Sequence, residues 1–427
     1  MAVKGKQYEF MFADSGLTIE SSGRVILEPI SRKPLTWHFC GLTAEMSITI
    51  KLTEPMILVG VNVLEKKKIK VLHMLCSSRF SGAENVACQI IKMFKDNQDY
   101  EFAYASPDGQ IKEALAERGI RFLPMRQCSF LEYRRVIKDF NPDIIHAHDM
   151  KATVLAAACC GTIPLISHVH NNNFDSRKLS LKTILYRLTC KKVVHAFWVS
   201  MSSYYGYYYH DKFKEKSSVL YNVINTDELR EKAENAEKQN GFDIVYLGRL
   251  TPQKNPQRLI KILVSVIQKN PGTQCAVIGS GELAEITEAC IRSAGAQNNI
   301  HMLGFMDNAY GILKHSKLML MTSRWEGTPM CALEAMALGV PIVSTPTDGL
   351  KELVVSGKTG YLSNDDNELA ENCIRIINHS EERRKFSSNT LARSDKMMDI
   401  DHYYHEILKS YELCTKNRCR AGSFYPG

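Results

Sequence analysis

No hydrophobic run in this sequence is long enough to cross a membrane. The two longest apolar stretches, residues 152–166 and 56–64, fall short of the roughly 20 residues that a transmembrane helix needs, and glycine or proline interrupts each of them. The first twenty residues are polar and lack the apolar centre of a secretory signal. These absences predict a cytoplasmic protein that is soluble or bound to the inner face of the cytoplasmic membrane.

The sequence also lacks a cysteine pairing pattern and a strong charge of either sign. Its thirteen cysteines are an odd number and form no C-x-x-C pair, which favours reduced thiols over a disulfide framework or a zinc site. The formal net charge of +8 arises from 54 basic and 46 acidic residues and is too small for a dedicated nucleic-acid binder. We therefore expect no nucleic-acid partner. The net charge is compatible with binding of an anionic substrate or of a lipid surface.

From Ile69 onward, short β-branched runs alternate with amphipathic segments, a pattern typical of βα units around a parallel sheet. One series opens at residues 69–75 and a second at 243–247. We therefore predict an α/β protein with two Rossmann-like, doubly wound domains that face a central cleft, with ligand at the carboxyl ends of the strands. The predicted ranges are 1–66 for an N-terminal extension of unknown role, 67–235 and 236–395 for the two domains, and 396–427 for a C-terminal helix and tail.

The most informative motif joins a predicted strand to a predicted helix. It reads Ser-Arg-Trp-Glu-Gly-Thr-Pro-Met at 323–330 and carries two carboxylates eight residues apart, Glu326 and Glu334. Pro329 suits the first helical position. Free backbone N–H groups at a helix start bind anions, whereas carboxylates suit hydroxyl groups. A nucleotide sugar carries both phosphates and hydroxyl groups and fits such a junction.

Basic residues and glycines follow two other predicted strands. Arg249 and Lys254 lie just after residue 247, where arginine can grip two phosphate oxygens and lysine adds a mobile charge. A solvated charged turn is an equal alternative for this pair taken alone. Gly279 and Gly281 permit a tight turn close to a ligand, although ordinary turn chemistry explains such a glycine pair more often.

In the first series, Ser81-Gly82-Ala83-Glu84 follows the opening strand and precedes an apolar helical run. Gly82 would let backbone N–H groups reach a phosphate at that helix start, and Ser81 suits the N-cap position. Plain capping is the favoured alternative for this motif taken alone.

Histidines gather at predicted strand ends, as His146-x-His148 and His168-x-His170. Two histidines on one face of a strand raise metal ligation as an alternative. No carboxylate or cysteine spacing completes a metal site there, and the only D-x-D motif, at 399–401, lies in an N-capping context. We therefore predict no metal and expect a strand-end histidine to bind a sugar hydroxyl or a phosphate oxygen.

One predicted helix and a tyrosine-rich run at 204–209 suggest a peripheral membrane contact. Basic and aromatic side chains together favour an anionic lipid surface. A solvated face over a core stripe is the better interpretation of either element taken singly. The helix carries the basic residues Lys182, Arg187, Lys191 and Lys192 and the apolar residues Leu181, Ile184, Leu185 and Leu188.

Taken together, these motifs resemble the retaining glycosyltransferases of the GT-B fold, specifically glycosyltransferase family 4 (glycosyl transferases group 1). The resemblance covers about residues 69–412. Its most specific part is the E-x7-E element from Glu326 to Glu334, and motifs at 81–84, 143–148, 221–225, 248–255 and 279–281 follow in the family's order.

The resemblance implies transfer of a sugar from a nucleotide diphosphate sugar to a glycan or lipid-linked acceptor, with retention, no cofactor and no obligatory metal. It makes 67–235 the acceptor-side domain and 236–395 the donor domain. Glu334 would bind the ribose hydroxyls, Glu326 the donor sugar, and Arg249 with Lys254 the diphosphate. His170 would lie beside the donor sugar and would form the catalytic set with Glu326, Arg249 and Lys254. The implied donor-binding set is Gly82, Arg249, Lys254, Gly279, Gly281, Glu326, Gly327, Thr328, Pro329, Met330 and Glu334.

The sequence departs from the family pattern in three places, none of which removes a charged donor contact. His168 stands where the family commonly has threonine, Ser81 replaces the first glycine of a phosphate loop, and residues 221–225 read Tyr-Asn-Val-Ile-Asn instead of a proline-asparagine-glycine form. The implied pathway is polysaccharide, exopolysaccharide or capsule, or glycolipid biosynthesis. A nucleotide-sugar epimerase, a phosphorylase and a non-catalytic nucleotide-sugar-binding protein are the alternatives.

Overall fold

The computed structural model describes residues 67–170, 174–236 and 241–422, the side chains as far as residue 416, and six strands before residue 67. The chain divides after Lys68 into two compact units. The six strands belong to the first unit and are β1 (Phe10–Ala13), β2 (Gly16–Ser21), β3 (Gly23–Ile26), β4 (Leu35–Cys40), β5 (Glu45–Thr53) and β6 (Met56–Leu64). They form two three-stranded antiparallel sheets, in the orders β1-β2-β3 and β4-β5-β6.

The second unit begins with a seven-stranded parallel sheet. Its strands are β7 (Ile69–Met74), β8 (Tyr100–Pro107), β9 (Phe122–Met125), β10 (Ile144–His148), β11 (Leu165–Val169), β12 (Val193–Trp198) and β13 (Ser217–Val219). They lie in the order β13-β12-β11-β10-β7-β8-β9. The helices are α1 (Gly82–Met93), α2 (Ile111–Glu117), α3 (Phe130–Phe140), α4 (Asp149–Cys159), α5 (Leu181–Leu188) and α6 (Met201–Tyr205), with 3-10 helices at Phe174–Ser176, Thr189–Lys191 and His210–Lys216.

A second parallel sheet follows in the same unit. Its strands are β14 (Ile244–Leu247), β15 (Cys275–Ile278), β16 (Ile300–Gly304), β17 (Leu318–Met321), β18 (Ile342–Ser344) and β19 (Gly360–Leu362), in the order β16-β15-β14-β17-β18-β19. The helices are α7 (Thr226–Glu234), α8 (Pro256–Lys269), α9 (Ala284–Ser293), α10 (Tyr310–Lys314), α11 (Met330–Ala337), α12 (Asp348–Leu353), α13 (Asp366–Asn378), α14 (Ser380–Met397) and α15 (Ile400–Gly422).

The predicted pair of doubly wound α/β domains is confirmed. In the first sheet the strand order reverses between β7 and β10, and in the second it reverses between β14 and β17. In sheets of this kind ligands bind at the carboxyl ends of the strands, beside such a reversal. We therefore expect a ligand site at the loops that follow β7, β10, β14 and β17.

The C-terminal helix α15 follows the second sheet in the chain but packs on the first sheet. Its Tyr403, Ile407 and Tyr411 are buried in one apolar cluster with Val71 of β7 and Ile144 of β10. Burying side chains of this size stabilises the fold by about 1.5–3 kcal/mol each. The helix thus covers the face of the first sheet on which several histidines lie.

Two further observations bear on the sequence analysis. Among the helices of the described residues, none is long and apolar enough to span a membrane. Cys76 and Cys128 form a disulfide, with Cα atoms 5.4 Å apart. The expectation of reduced thiols throughout is therefore wrong for this pair, although the structure leaves nine other described cysteines free.

Candidate functional site

The candidate site forms where β14 and β17 lie side by side in the second sheet. The loop after β14 carries Arg249 and Lys254, and the loop after β17 leads to α11. Two hydrogen bonds fasten these loops together, because Arg324 N donates to Gln253 O at 2.8 Å and the Thr322 hydroxyl donates to Lys254 O at 3.1 Å. Two motifs that are distant in the sequence therefore make one wall.

A buried ion pair lies at the centre of this wall. Lys254 Nζ is 2.7 Å from Glu326 Oε1, and the two residues are only 9% and 5% exposed. Burial alone would lower the pKa of Lys254, but the negative charge of Glu326 outweighs it, so the pKa is raised and the ammonium group stays charged. Apart from this ion pair, Glu326 Oε1 has no hydrogen-bond partner among the described residues, so it can still accept a hydrogen bond from a hydroxyl group.

Glu334 lies on α11 in the same wall. The Tyr310 hydroxyl donates to Glu334 Oε1 at 3.4 Å. Burial raises the pKa of Glu334 to about 7, against smaller opposing effects of Tyr310 and of the charge on Lys254. This carboxyl group therefore titrates near neutral pH. The sequence analysis missed Tyr310, since it opens a different helix, α10, and no spacing links it to Glu334.

The starts of α11 and α1 face each other. Pro329 occupies the N-cap of α11 and not the predicted first helical position, which belongs to Met330. The N–H groups of Met330 and Cys331 have no acceptor among the residues that the structure describes. A Cβ atom on Gly82, at the start of α1, would lie 3.9 Å from Met330 Cγ. Two helix starts, one from each domain, thus border the same space.

Ser81 occupies the N-cap of α1, but its hydroxyl does not cap the helix. The hydroxyl donates to the carboxylate of Glu84, which is buried and whose pKa burial raises. Capping as the explanation for this motif is therefore wrong, and within the described ranges Gly82 N and Ala83 N have no acceptor. The charge of Arg249 has a small lowering effect on the pKa of Glu84, so Arg249 lies within electrostatic range of this helix start.

The first domain reaches the site through His170, which follows β11. His170 is 7% exposed, and its backbone N–H donates to Asp149 Oδ1 at 2.8 Å. A Cβ atom on Gly327 would lie only 2.1 Å from the carbonyl oxygen of His170, so the two domains touch at a position that admits only glycine. The Thr328 hydroxyl stabilises this contact by donating to Val199 O of the first domain. Asn222 Nδ2 in turn donates to Thr328 O at 3.0 Å.

Three glycines let the loops of the second domain pack closely. Cβ atoms on Gly279 and Gly281 would lie 2.0 Å and 2.3 Å from backbone carbonyl oxygens of the loop that carries Arg249. Both glycines also have positive φ, at 139° and 157°. A Cβ atom on Gly349, in α12, would lie 1.5 Å from Gly327 O. The sequence analysis missed Gly349, because it stands outside every motif.

The predicted site residues therefore gather at one junction. The second domain contributes Arg249, Lys254, Glu326, Gly327, Thr328, Pro329, Met330 and Glu334, the first contributes Gly82 and His170, and Gly279 and Gly281 support the loop of Arg249. The individual roles assigned to them stay predictions. Chemically, the junction offers cations and free N–H groups for an anion and carboxylates for hydroxyl groups.

Helix α5 places its apolar residues at the surface and not in the core. Thr183 and Tyr186 face inward, whereas Leu181 is 72% exposed and Leu188 is 65% exposed. The interpretation of these residues as a core stripe is therefore wrong. Three of the neighbouring basic residues are exposed as well, namely Arg187, Lys191 and Lys192.

Comparisons with known proteins agree with this geometry. Residues 80–228 match the family model described as Glycosyltransferase Family 4, and residues 227–393 match the one described as Glycosyl transferases group 1. The UDP-Gal:alpha-D-GlcNAc-diphosphoundecaprenol alpha-1,3-galactosyltransferase of Escherichia coli is 25% identical over 384 residues, which cover 78% of this chain and 96% of the relative. An uncharacterized glycosyltransferase of Methanocaldococcus jannaschii is 27% identical over 344 residues, covering 65% of this chain and 80% of the relative.

A solved structure shows the same fold. The crystal structure of Anabaena Alr3699/HepE in complex with UDP-glucose matches with a TM-score of 0.70 at 22% sequence identity. The match covers 81% of this chain and 99% of that chain. The architecture of two facing domains is therefore shared over almost the whole of the second unit.

Proposed function

Because this chain belongs to the GT-B glycosyltransferases, with a Glycosyltransferase Family 4 domain followed by a Glycosyl transferases group 1 domain, we propose that it transfers a hexose from a nucleotide diphosphate sugar with retention and without a bound metal or other cofactor. The observation that carries the proposal is the buried pair of Lys254 and Glu326 beside Glu334. The pair supplies one fixed cation for phosphate next to carboxylates for hydroxyl groups.

The diphosphate is assigned to the cations and the helix starts. Lys254 keeps its charge because Glu326 lies 2.7 Å away, and Arg249 adds a second cation from the same loop. The free N–H groups at the starts of α1 and α11 complement the negative charge. These groups stabilise the diphosphate most strongly as it leaves, when its charge is greatest.

The hydroxyl groups of the donor are assigned to the two glutamates. Glu334 accepts from the ribose, and Glu326, whose Oε1 retains unused accepting capacity, accepts from the sugar. The named relatives act on UDP-galactose or bind UDP-glucose, which makes uridine diphosphate hexoses the first donors to test.

Donor affinity is expected to weaken as the pH falls below about 7, because the pKa of Glu334 is raised to about 7 and the carboxylate is the form that accepts two hydroxyl groups. The loss should approach about tenfold per pH unit. Calorimetric titration of UDP-glucose between about pH 6 and pH 8 measures it, and Glu334→Gln should bind weakly with no such pH dependence.

The stability of the ligand-free protein should respond in the opposite direction. A carboxyl group whose pKa is raised on folding contributes stability below its unfolded pKa, and this contribution is lost as the pH rises through about 7. For the titration of UDP-glucose, a donor affinity that does not change between about pH 6 and pH 8 would rule out the ribose role of Glu334. An equal fall of affinity in Glu334→Gln would rule it out as well.

Retention is assigned to the donor's own phosphate. Glu326 pairs with Lys254 and is assigned to a sugar hydroxyl, and Asp149 accepts from the His170 N–H. Neither is placed as the carboxylate nucleophile that a retaining glycosidase uses. A phosphate oxygen of the leaving diphosphate therefore takes the proton of the acceptor hydroxyl, on the face from which the diphosphate departs.

The acceptor is proposed to be lipid-linked, as it is for the Escherichia coli relative, which is named for a diphosphoundecaprenol acceptor. The surface of α5 supports this proposal. Its exposed leucines can enter the apolar boundary of a membrane, while Arg187, Lys191 and Lys192 attract anionic headgroups. The protein would then work in polysaccharide or glycolipid biosynthesis at the inner face of the cytoplasmic membrane.

Replacing Leu181 and Leu188 by serine should weaken vesicle binding by about tenfold or more, because burial of a leucine stabilises by about 1.5–3 kcal/mol. Co-sedimentation with vesicles that contain anionic lipid measures the loss. Phe305→Ser is the matched control, since Phe305 is 70% exposed on the second domain. Equal partition of the double variant and the control would exclude α5 as the contact.

Turnover tests the proposed function directly. The protein is incubated with UDP-glucose or UDP-galactose and a polyprenyl-diphosphate N-acetylglucosamine in EDTA, and the anomeric configuration of the product is read by NMR. The proposal predicts an axial linkage without added metal, and an inverted product or an absolute metal requirement contradicts it. The relatives do not favour the alternative functions. An epimerase would convert the donor without an acceptor, a phosphorylase would depend on phosphate, and a non-catalytic binding protein would bind the donor without turnover.

A further inference from the structure

Five buried imidazoles lie together on one face of the first sheet. His73 is on β7, His146 and His148 are on β10, His168 is on β11, and His170 follows it; none is more than 7% exposed. Parallel pairing sets His73 beside His146 and His148 beside His168, so that their side chains share a face. The sequence motifs contain four of these residues as two separate pairs, and they do not include His73.

Three of the rings form a hydrogen-bonded chain that begins at α15. The Tyr411 hydroxyl is 3.3 Å from His73 Nε2, and His73 Nδ1 is 2.9 Å from His148 Nε2. His148 Nδ1 is in turn 2.8 Å from His170 Nε2, with the ring planes only 13° apart. The chain uses both ring nitrogens of His73 and of His148. Its far end is His170 Nδ1, which is buried and has no partner among the described residues.

The rings of this chain are neutral. Burial lowers the pKa of His73 to about 3 and lowers the pKa values of His148 and His170 as well. A neutral imidazole has one N–H and one lone pair. The direction of a single hydrogen bond therefore fixes the tautomer of every ring in the chain.

Tyr411 sets that direction, because its hydroxyl has one proton and also lies 3.0 Å from His146 Nδ1. If the hydroxyl donates to His146, an N–H without an acceptor remains deep in the core at His146 Nε2. If the hydroxyl donates to His73, the unpaired atom at His146 Nε2 is only a lone pair. The unpaired N–H is then at His170 Nδ1, beside the site. Each direction leaves one N–H and one lone pair unpaired. The second direction moves the N–H from the core to His170, where a bound ligand can accept it, and is therefore favoured because a buried N–H needs an acceptor more than a lone pair needs a donor.

Metal binding is a weaker explanation of the cluster. In two groups of three histidines, one ring nitrogen of each lies within 4.8 Å of the others; the groups are His73, His146 and His148, and His148, His168 and His170. The closest nitrogens point at each other along hydrogen bonds of 2.8 Å and 2.9 Å. Ligation of one ion requires lone pairs that converge on it, which these rings achieve only by breaking the chain.

We propose that Tyr411, His73 and His148 are positioning residues that hold His170 as the Nδ1–H tautomer, so that His170 donates a hydrogen bond from Nδ1 to an oxygen of the bound sugar. The C-terminal helix thereby controls the side chain at the end of β11. The kinetic consequence rests on the proposed glycosyl transfer, whereas the tautomer does not.

Tyr411→Phe tests the proposal, because it removes the hydroxyl that starts the chain and keeps the ring. Tyr403→Phe is the matched control: Tyr403 is buried on the same helix, and its hydroxyl has no partner within the described residues. Long-range 1H–15N spectra of histidine-labelled protein show which ring nitrogen carries the proton. We expect Nδ1–H at His170 in the unmodified protein and in Tyr403→Phe, and a shift towards Nε2–H in Tyr411→Phe.

In the kinetic arm, kcat of Tyr411→Phe should fall about three- to tenfold with an unchanged donor KM, while Tyr403→Phe stays unaffected. Nε2–H at His170 in the unmodified protein, identical spectra for Tyr411→Phe, or a stoichiometric metal ion in the purified protein would each overturn the proposal. An inactive unmodified protein with the predicted tautomer would instead count against the proposed transfer reaction alone.

Discussion

Lys254→Met is expected to lower kcat by about a hundredfold or more, because it removes a fixed cation from the leaving diphosphate. The same change should destabilise the protein by about 3–5 kcal/mol, since it leaves a buried charge without its partner. That charge is Glu326, which is 5% exposed and pairs with Lys254 at 2.7 Å. Steady-state kinetics at saturating donor and urea unfolding measure the two effects.

The double variant Lys254→Met/Glu326→Gln separates stability from catalysis. Removal of both charges should recover much of the lost free energy of unfolding, because the unpaired charge is what the single variant cannot tolerate. The kcat should stay at least as low as in Lys254→Met, because the cation is still missing. Lys269→Ala is the control, since it breaks an exposed pair with Glu371 at 3.4 Å and should change neither quantity appreciably. A double variant as unstable as the single one would contradict this account of the pair.

Gly349→Ala should reduce kcat/KM by about a hundredfold, because displacement of catalytic groups by about 1 Å has effects of that size. The new Cβ atom would lie 1.5 Å from Gly327 O, so the backbone that follows Glu326 must move. Overpacking of this kind also destabilises by about 1–3 kcal/mol. Kinetics and thermal unfolding would both register the change.

Gly272→Ala is the matched control for that variant. No atom lies within 4 Å of the position that its Cβ would take. Alanine should therefore be neutral for activity at residue 272. Full activity of Gly349→Ala would show that the loop of Glu326 tolerates displacement and that its close packing does not position the site.

The architecture could be predicted from the sequence because its cause is local. A strand covered on both faces has to be apolar throughout, and Leu318–Met321 is fully buried as its composition predicts. Two series of such strands give two parallel sheets, and the motifs at their carboxyl ends meet in one cleft. The strands before residue 67 are less apparent in the sequence, and no role follows from them.

The contacts that the sequence analysis missed depend on what folding brings together. Tyr310 reaches Glu334 from another helix, Gly349 touches Gly327, and Tyr411 joins the histidines of β7 and β10. No local spacing links these residues. They become visible only when the register of the sheets and the packing of α15 are known.

Two interpretations of single elements failed because a nearby group or the packing overrode a local preference. The side chain of Ser81 suits an N-cap, but its hydroxyl donates to Glu84 three residues on, and the helix start is left open. The leucines of α5 have the spacing of a core stripe, yet Thr183 and Tyr186 take the inward face. Both failures leave groups free for a ligand or a surface.

Calorimetric titration of UDP-hexoses into the unmodified protein, Glu334→Ala and Lys269→Ala tests the central claim, a donor site between the two domains, most directly. We predict that one donor binds the unmodified protein and Lys269→Ala with equal affinity at a ratio of one to one. Glu334→Ala should lose most of that affinity, because a half-buried carboxylate that is assigned to the ribose hydroxyls is removed. Unchanged affinity in Glu334→Ala would contradict the account.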